Sequence, residues 1–271
     1  MSDRHFLRSL LPAVLLVFVV LVFVVLLVAS PRDANAGIYN MQSILSTEAD
    51  EGLSGAISGS ADWRKGNVDY LFLSATPVAR YRSGDHLFIG IVRGDRKTSG
   101  GATIISNTLE HLRYRHTISK SLLGEVFAQH TYDNIKRLNL RALLGAGPMV
   151  TLVEGKSYGL NLGSSYMLEY ERLRDDEFAD AGATDLQHRN STYLTGRYEV
   201  EDRFQFTESV YVQPRLTGAS DIRLLSESQI TFQLTSKLSY TTSFMIAYDS
   251  RPPDSVEKLD TALISSITYQ L

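Results

Sequence analysis

The sequence predicts an all-β protein: an antiparallel transmembrane β-barrel of about twelve strands behind an N-terminal signal segment. The first ground is one stretch in which Tyr158, Leu160, Leu162, Ser164, Tyr166, Leu168 and Tyr170 alternate with Gly159, Asn161, Gly163, Ser165, Met167 and Glu169. An apolar face ending in tyrosines, backed by a small and polar face, suits a strand with lipid outside and water inside. At ~3.3 Å per residue and a tilt near ~40°, the two end tyrosines lie roughly 30 Å apart along the barrel axis, the spacing of two aromatic girdles. The second ground is the absence of helical periodicity after residue 51, where extended segments are separated by turn signals. The third is an export-type N-terminus.

That N-terminus carries Arg4 and Arg8, an unbroken apolar run from Leu10 to Ala29, and small residues at Ala34 and Ala36 before Gly37. Residues 1–36 are therefore expected to be a signal peptide with the mature chain starting at Gly37. The run is long enough to span a bilayer, so an uncleaved inner-membrane anchor holding the protein in the periplasm is the alternative. Residues 37–51 form a polar lead-in, and 52–271 the barrel. The chain has no cysteine, which excludes a lipid-modified N-terminus, a disulfide framework and a thiolate metal site. The whole chain has a formal charge of −3 and the mature part −4, which makes nucleic acid an improbable partner.

The twelve segments lie near 52–63, 67–82, 86–96, 103–116, 121–133, 138–153, 157–172, 188–199, 203–216, 222–234, 237–249 and 259–271. The even number puts both ends of the barrel on the periplasmic side. Tight links at Ser83 to Asp85, Thr117 to Lys120, Glu154 to Lys156, Glu201-Asp202 and Thr235-Ser236 alternate with longer or more polar ones. The longer set comprises Lys97 to Ala102, Arg174 to Gln187, Thr217 to Asp221 and Ser250 to Lys258, although the links near Lys65-Gly66 and Asn134 to Arg137 are short. Alternation is cleanest in the last two strands, where Leu238, Tyr240, Phe244, Ile246 and Tyr248 oppose Ser239, Ser243 and Asp249. It is weaker in the early strands, and Leu143 and Val153 intrude on the polar face near 138–153. Glu208 falls on the face of Phe204, Phe206, Val210 and Val212, where a carboxylate is costly; a β-bulge or a misphased strand is the expected explanation.

The chain closes with Ile267, Tyr269 and Leu271 at alternate positions, which resembles the C-terminal signal read by the barrel-assembly machinery. Gly66-Asn67-Val68-Asp69 after an opening strand, and Leu143-Leu144-Gly145-Ala146-Gly147-Pro148 between Asp133, Arg137 and the strand Leu160 to Glu171, resemble the uncharacterised family labelled salt-stress-induced outer-membrane proteins (domain of unknown function 481). The resemblance covers roughly Gly52 to Leu271. It implies an outer-membrane barrel of unassigned activity, with a link to salt or osmotic stress.

Strand phase assigns Glu125, Arg141, Glu169, Glu171, Arg197, Glu199, Arg215, Arg223 and Glu227 to the inner face, as candidate lumen charges of both signs. Twelve strands fall between a barrel filled by its own side chains and one that holds an aqueous channel. The histidines His86, His111, His116, His130 and His188 form no hydrolase motif, and Asp175, Asp176, Glu177, Asp180 and Asp185 lack the spacing of a calcium loop and read as a solvated acidic loop. No cofactor is expected. The expected partners are outer-membrane lipid and lipopolysaccharide, the assembly machinery, and small solutes or ions. The combined reading is a non-enzymatic outer-membrane component with a narrow pore for ions or small solutes. A plugged structural or adhesive barrel, and an enzyme acting on lipid or lipopolysaccharide, are the alternatives.

Overall fold

In a computed structural model, Asn40 and residues 51–200 and 203–271 are described. The signal segment, most of the lead-in and the Glu201-Asp202 turn lie outside the described residues. Twelve antiparallel strands follow one another: β1 (Gly52–Arg64), β2 (Tyr70–Ser83), β3 (His86–Ser99), β4 (Ala102–Ser119), β5 (Leu122–Asp133), β6 (Leu138–Gly155), β7 (Tyr158–Leu173), β8 (Thr184–Val200), β9 (Phe204–Arg215), β10 (Gly218–Gln233), β11 (Leu238–Asp249) and β12 (Leu259–Gln270). Each pairs with its sequence neighbours, and β12 pairs with β1 to close the barrel. Closure removes the edges that an open sheet would leave unpaired, which is the condition for crossing a membrane with strands.

Side chains alternate as the period-two pattern requires. Leu162, Tyr166, Leu112, Val126, Leu144 and Leu263 stand exposed on the outer wall, whereas Ser165, Met167 and Glu169 are buried inside. This is the inverse of a soluble barrel. The interior also holds apolar clusters. Val78, Leu87, Ile89, Ile91 and Leu109 line β2 to β4, and Met149, Tyr193, Tyr211, Leu225 and Ala247 sit opposite. A third joins Phe127, Leu143 and Met167, so the intruding Leu143 is a core residue. In these strands both faces are apolar, which blurs the early alternation.

Strand ends differ from the expected bounds in three places that shorten the links. β8 starts at Thr184 and β10 at Gly218, so the connections there are 174–183 and 216–217, and Lys97 to Ala102 collapses to a turn at Gly100-Gly101. Both glycines of that turn have positive φ, 57° and 81°, which a side chain would resist. Among the described links on that side, 174–183 and 250–258 are the long ones. Pro77 and Pro148 each sit where the ladder to one neighbour is interrupted while pairing to the other continues, to Ile57 and Gly124 respectively, as their missing N–H demands.

The register of β9 on β10 runs unbroken from Phe204–Phe232 to Pro214–Ile222, so no bulge relieves Glu208. Its side chain remains on the outer face. The two carboxylate oxygens accept the hydroxyls of Ser226 at 2.8 Å and Ser228 at 2.5 Å, which satisfies part of the hydrogen-bonding demand of a carboxylate facing lipid. At the seam, Ala56–Gln270 to Gly59–Ile267 are in register, and Leu271 donates its N–H to the Gly55 carbonyl at 2.9 Å. Ile267, Tyr269 and Leu271 are thus exposed beside the closing strand pair.

Candidate functional site

Phase directs the inner charges, and register decides which of them meet. Glu169 on β7, fully buried, accepts hydrogen bonds from Arg141 Nε on β6, Arg189 Nε on β8 and Arg223 Nη1 on β10, each at 2.5 Å. Glu171, two residues further along the same face, accepts from Arg223 Nη2 at 3.1 Å and lies 3.2 Å from Arg141 Nε. Arg189 also donates to Asp221 at 2.8 Å, and Arg223 to Asp249 at 2.7 Å. Arg215 stands at the margin, 3.6 Å from Asp185 and 3.8 Å from Asp221. Such a buried cluster tolerates its desolvation only because each charge meets opposite charge with hydrogen-bond geometry. Four of the expected lumen charges, Arg141, Glu169, Glu171 and Arg223, therefore form one knot reaching from β6 to β11.

Glu125 centres a second knot. Its Oε1 accepts Arg115 Nε at 2.6 Å and Arg113 Nη1 at 3.1 Å, and its Oε2 accepts the Tyr193 hydroxyl at 2.6 Å. Arg115 faces Glu125 directly across the β4–β5 register, whereas Tyr193 comes from β8. Two glycines make room for the rings of this region. A Cβ at Gly163 would lie 2.2 Å from the Tyr193 ring, and one at Gly145 2.3 Å from the Phe127 ring. The Leu143 to Pro148 motif thus supplies a bare backbone on which Phe127 packs, and the Arg113 guanidinium stands 5.0 Å from that ring's centre.

The mouth at the long-loop end is latched by Arg137, in the β5–β6 turn. Its guanidinium grips Asp176 bidentately, Nε to Oδ2 at 2.7 Å and Nη2 to Oδ1 at 2.5 Å, and Nη1 reaches Asp180 Oδ1 and the Asp254 carbonyl, both at 2.7 Å. Phe178 covers it, with the ring centre at 4.2 Å. Asp254 N–H donates to Asp180 Oδ2 at 2.8 Å. Since β6 and β12 lie half a turn apart in the closed order, the two long loops, 174–183 and 250–258, are tied across the mouth. The hydrogen bond from Arg137 holds the Asp176 carboxyl below its ordinary value, and the same bond holds the guanidinium above its own. Asp176 and Asp180 are thus engaged rather than simply solvated, a correction to the acidic-loop expectation.

The remaining expected charges stand apart from these clusters. Arg197 pairs with Glu199 at 2.7 Å and Glu154 at 3.4 Å near the short-turn end. Glu227 accepts Gln229 Nε2 at 2.7 Å, and the buried Asn40 side chain also hydrogen-bonds it. Sequence reasoning did not count Arg113, Arg115, Arg189, Asp221, Asp249 and Arg137 among the lumen charges. Arg189 and Asp221 share the phase of Arg197 and Arg223 on their own strands, so extending that phase would have found them, and Asp249 already stood on the polar face of its strand; Arg113 and Arg115 lie on β4, where no charge had been assigned inward, and Arg137 lies in a turn and gives no phase signal. His130 pairs with Glu110, and His188 with the Tyr166 hydroxyl, both on the outer wall.

Fold and site together define a membrane-type β-barrel with a charge-filled interior and a latched mouth. The chain belongs to the family described as protein of unknown function, DUF481, whose model matches residues 58–271. No curated protein matches it. Among solved structures it is similar to an outer membrane channel from Pseudomonas putida F1, at 13% identity and a TM-score of 0.50, covering 83% of this chain and 97% of that one. It is also similar to the NanC porin, at 8% identity and a TM-score of 0.49, covering 80% and 100%. The translocator domain of the autotransporter NalP from Neisseria meningitidis gives 10%, 0.47, 84% and 92%. At 13% identity the likeness to the Pseudomonas putida channel is one of fold alone.

Proposed function

We propose that this protein is a non-enzymatic β-barrel of the bacterial outer membrane that serves as a narrow, normally closed conduit for ions or small solutes. The inverted wall supports the location, because an apolar exterior closed without edges is stable in lipid. The observation that carries the closed state is the knot at Glu169. Its carboxylate and the Arg141 and Arg189 guanidiniums are almost wholly inaccessible to water, while an open aqueous channel keeps its wall residues wet. Charges of both signs filling the interior, beneath a latched mouth, suit a passage that opens by rearrangement of side chains and loops. The partners of His130 and His188 favour the non-enzymatic reading, since Glu110 and a tyrosine hydroxyl leave neither imidazole paired with a serine nucleophile.

The test is single-channel recording of refolded protein in planar bilayers, with heat-modifiable gel migration to confirm folding. The parent is expected to stay closed for long periods with brief small steps, and Arg137→Ala to lengthen the open time. A folded barrel silent in both forms would instead assign a structural or adhesive role. A role under salt or osmotic stress is addressed by growth of a deletion strain across salt concentrations.

A further inference from the structure

The outer wall between β1 and β6 bears a groove of about 410 Å³. Its floor is a row of mostly small residues in register across four strands: Ala79 opposite Gly90, Gly90 opposite Leu112, and Leu112 opposite Ala128. One pleat nearer the short-turn end, Tyr81, Phe88 and Tyr114 form a parallel aromatic row that walls it. Tyr114 joins this trough to a polar cluster. Its ring lines the groove, its hydroxyl lies 2.8 Å from His86 Nδ1, and the His86 ring stacks on His116 with centres 4.9 Å apart.

We propose that the groove holds one acyl chain of a glycerophospholipid from the leaflet on the short-turn side, its phosphate hydrogen-bonded by His86 and His116. Within a bilayer an apolar wall has no hydrophobic preference for one chain over another, so retention must come from close packing and from polar contacts. Both are present here: a trough that gives the chain more neighbouring atoms than a flat wall, and ring N–H donors beyond the aromatic row, where headgroups sit. The short-turn side is the periplasmic side of an outer-membrane barrel, which selects phospholipid over lipopolysaccharide. This inference rests on the membrane-embedded reading and is independent of conduction.

The experiment extracts and quantifies lipid from the full barrel purified from membranes in mild detergent. Gly90→Leu is the filling variant, because a Cβ there meets only Leu112 Cδ2, at an ordinary 3.7 Å. The expected result is one retained phospholipid per parent barrel, a several-fold loss in Gly90→Leu, and a similar loss in the His86→Ala, His116→Ala double variant, with heat-modifiable migration unchanged in all three. Equal lipid in parent and Gly90→Leu would overturn the proposal, as would recovery of lipopolysaccharide in place of phospholipid. A parent dimer dissolved by Gly90→Leu would give the groove to a second copy. A chain absent from the membrane fraction would defeat the membrane reading itself, an outcome distinguishable from the loss of a bound lipid.

Discussion

Replacing Glu169 with glutamine keeps the shape of the side chain and removes the charge on which three guanidiniums converge at 2.5 Å. At an effective dielectric of ~20, each such pair is worth about 4 kcal/mol of attraction at a 4 Å charge separation, offset by desolvation of several kcal/mol per ion. Removing one partner of a buried pair ordinarily costs about 3–5 kcal/mol. Here Glu171, Asp221 and Asp249 continue to contact Arg141, Arg189 and Arg223, so each guanidinium keeps a carboxylate and the loss should fall near the lower end, about 3 kcal/mol. Arg141 should suffer most, because its ion pair with Glu171 is the longest of these three at 3.2 Å. Equilibrium urea unfolding in lipid vesicles, followed by emission of Trp63, the single tryptophan, reads the change directly. A cycle with Arg141→Ala and the double variant isolates the pair. A loss below about 1 kcal/mol, with no coupling between the two sites, would refute the account of the knot as a mutually dependent buried cluster.

Arg137→Ala should release the outer latch and make the 174–183 loop several-fold more sensitive to added protease, with the barrel still heat-modifiable. The latch should also depend on pH. The folded Asp176 carboxyl is depressed below its ordinary 3.8, so its contribution is fully present above that value and is lost as pH falls through the lower folded value; longer open times in recordings at strongly acidic pH than at pH 6 are the check. Gly145→Ala should cost about 1–3 kcal/mol by forcing the Phe127 ring aside, whereas Gly90→Ala, which meets nothing closer than 3.7 Å, should be nearly neutral on the same urea titration. Glu208→Leu should stabilise the barrel in vesicles by about 1–2 kcal/mol by removing a carboxylate from the lipid-facing wall, and a marked destabilisation would instead mark Glu208 as a contact with another chain.

The wall was legible in the sequence because a strand between lipid and interior has two environments, and the period-two pattern records both. Where one of them changes, the record fades. Thr184 to Gln187 and Gly218 to Asp221 are mostly polar at the outer ends of β8 and β10, where little distinguishes wall from loop, so both strands begin before the pattern announces them. Ile89 and Ile91 fade it in another way, by placing apolar side chains inside as well as outside. Glu208 did not reveal its environment either: alternation marked it as anomalous, but the serines that meet it lie on the next strand, and only register brings them there.

The candidate site divides along the same line. That Glu169 and Arg223 point inward follows from phase; that they touch follows from the curvature and register that carry β10 across to β7, quantities set by all twelve strands together. The division also separates two kinds of control. The Glu169 knot is sealed from solvent, so salt does not reach it directly. The latch, by contrast, is held by Asp176 and Asp180, whose side chains are 19% and 24% exposed, close enough to solvent to be screened by salt. A barrel built this way would respond to its surroundings first at the mouth, and the buried knot would yield only after the loops above it have moved.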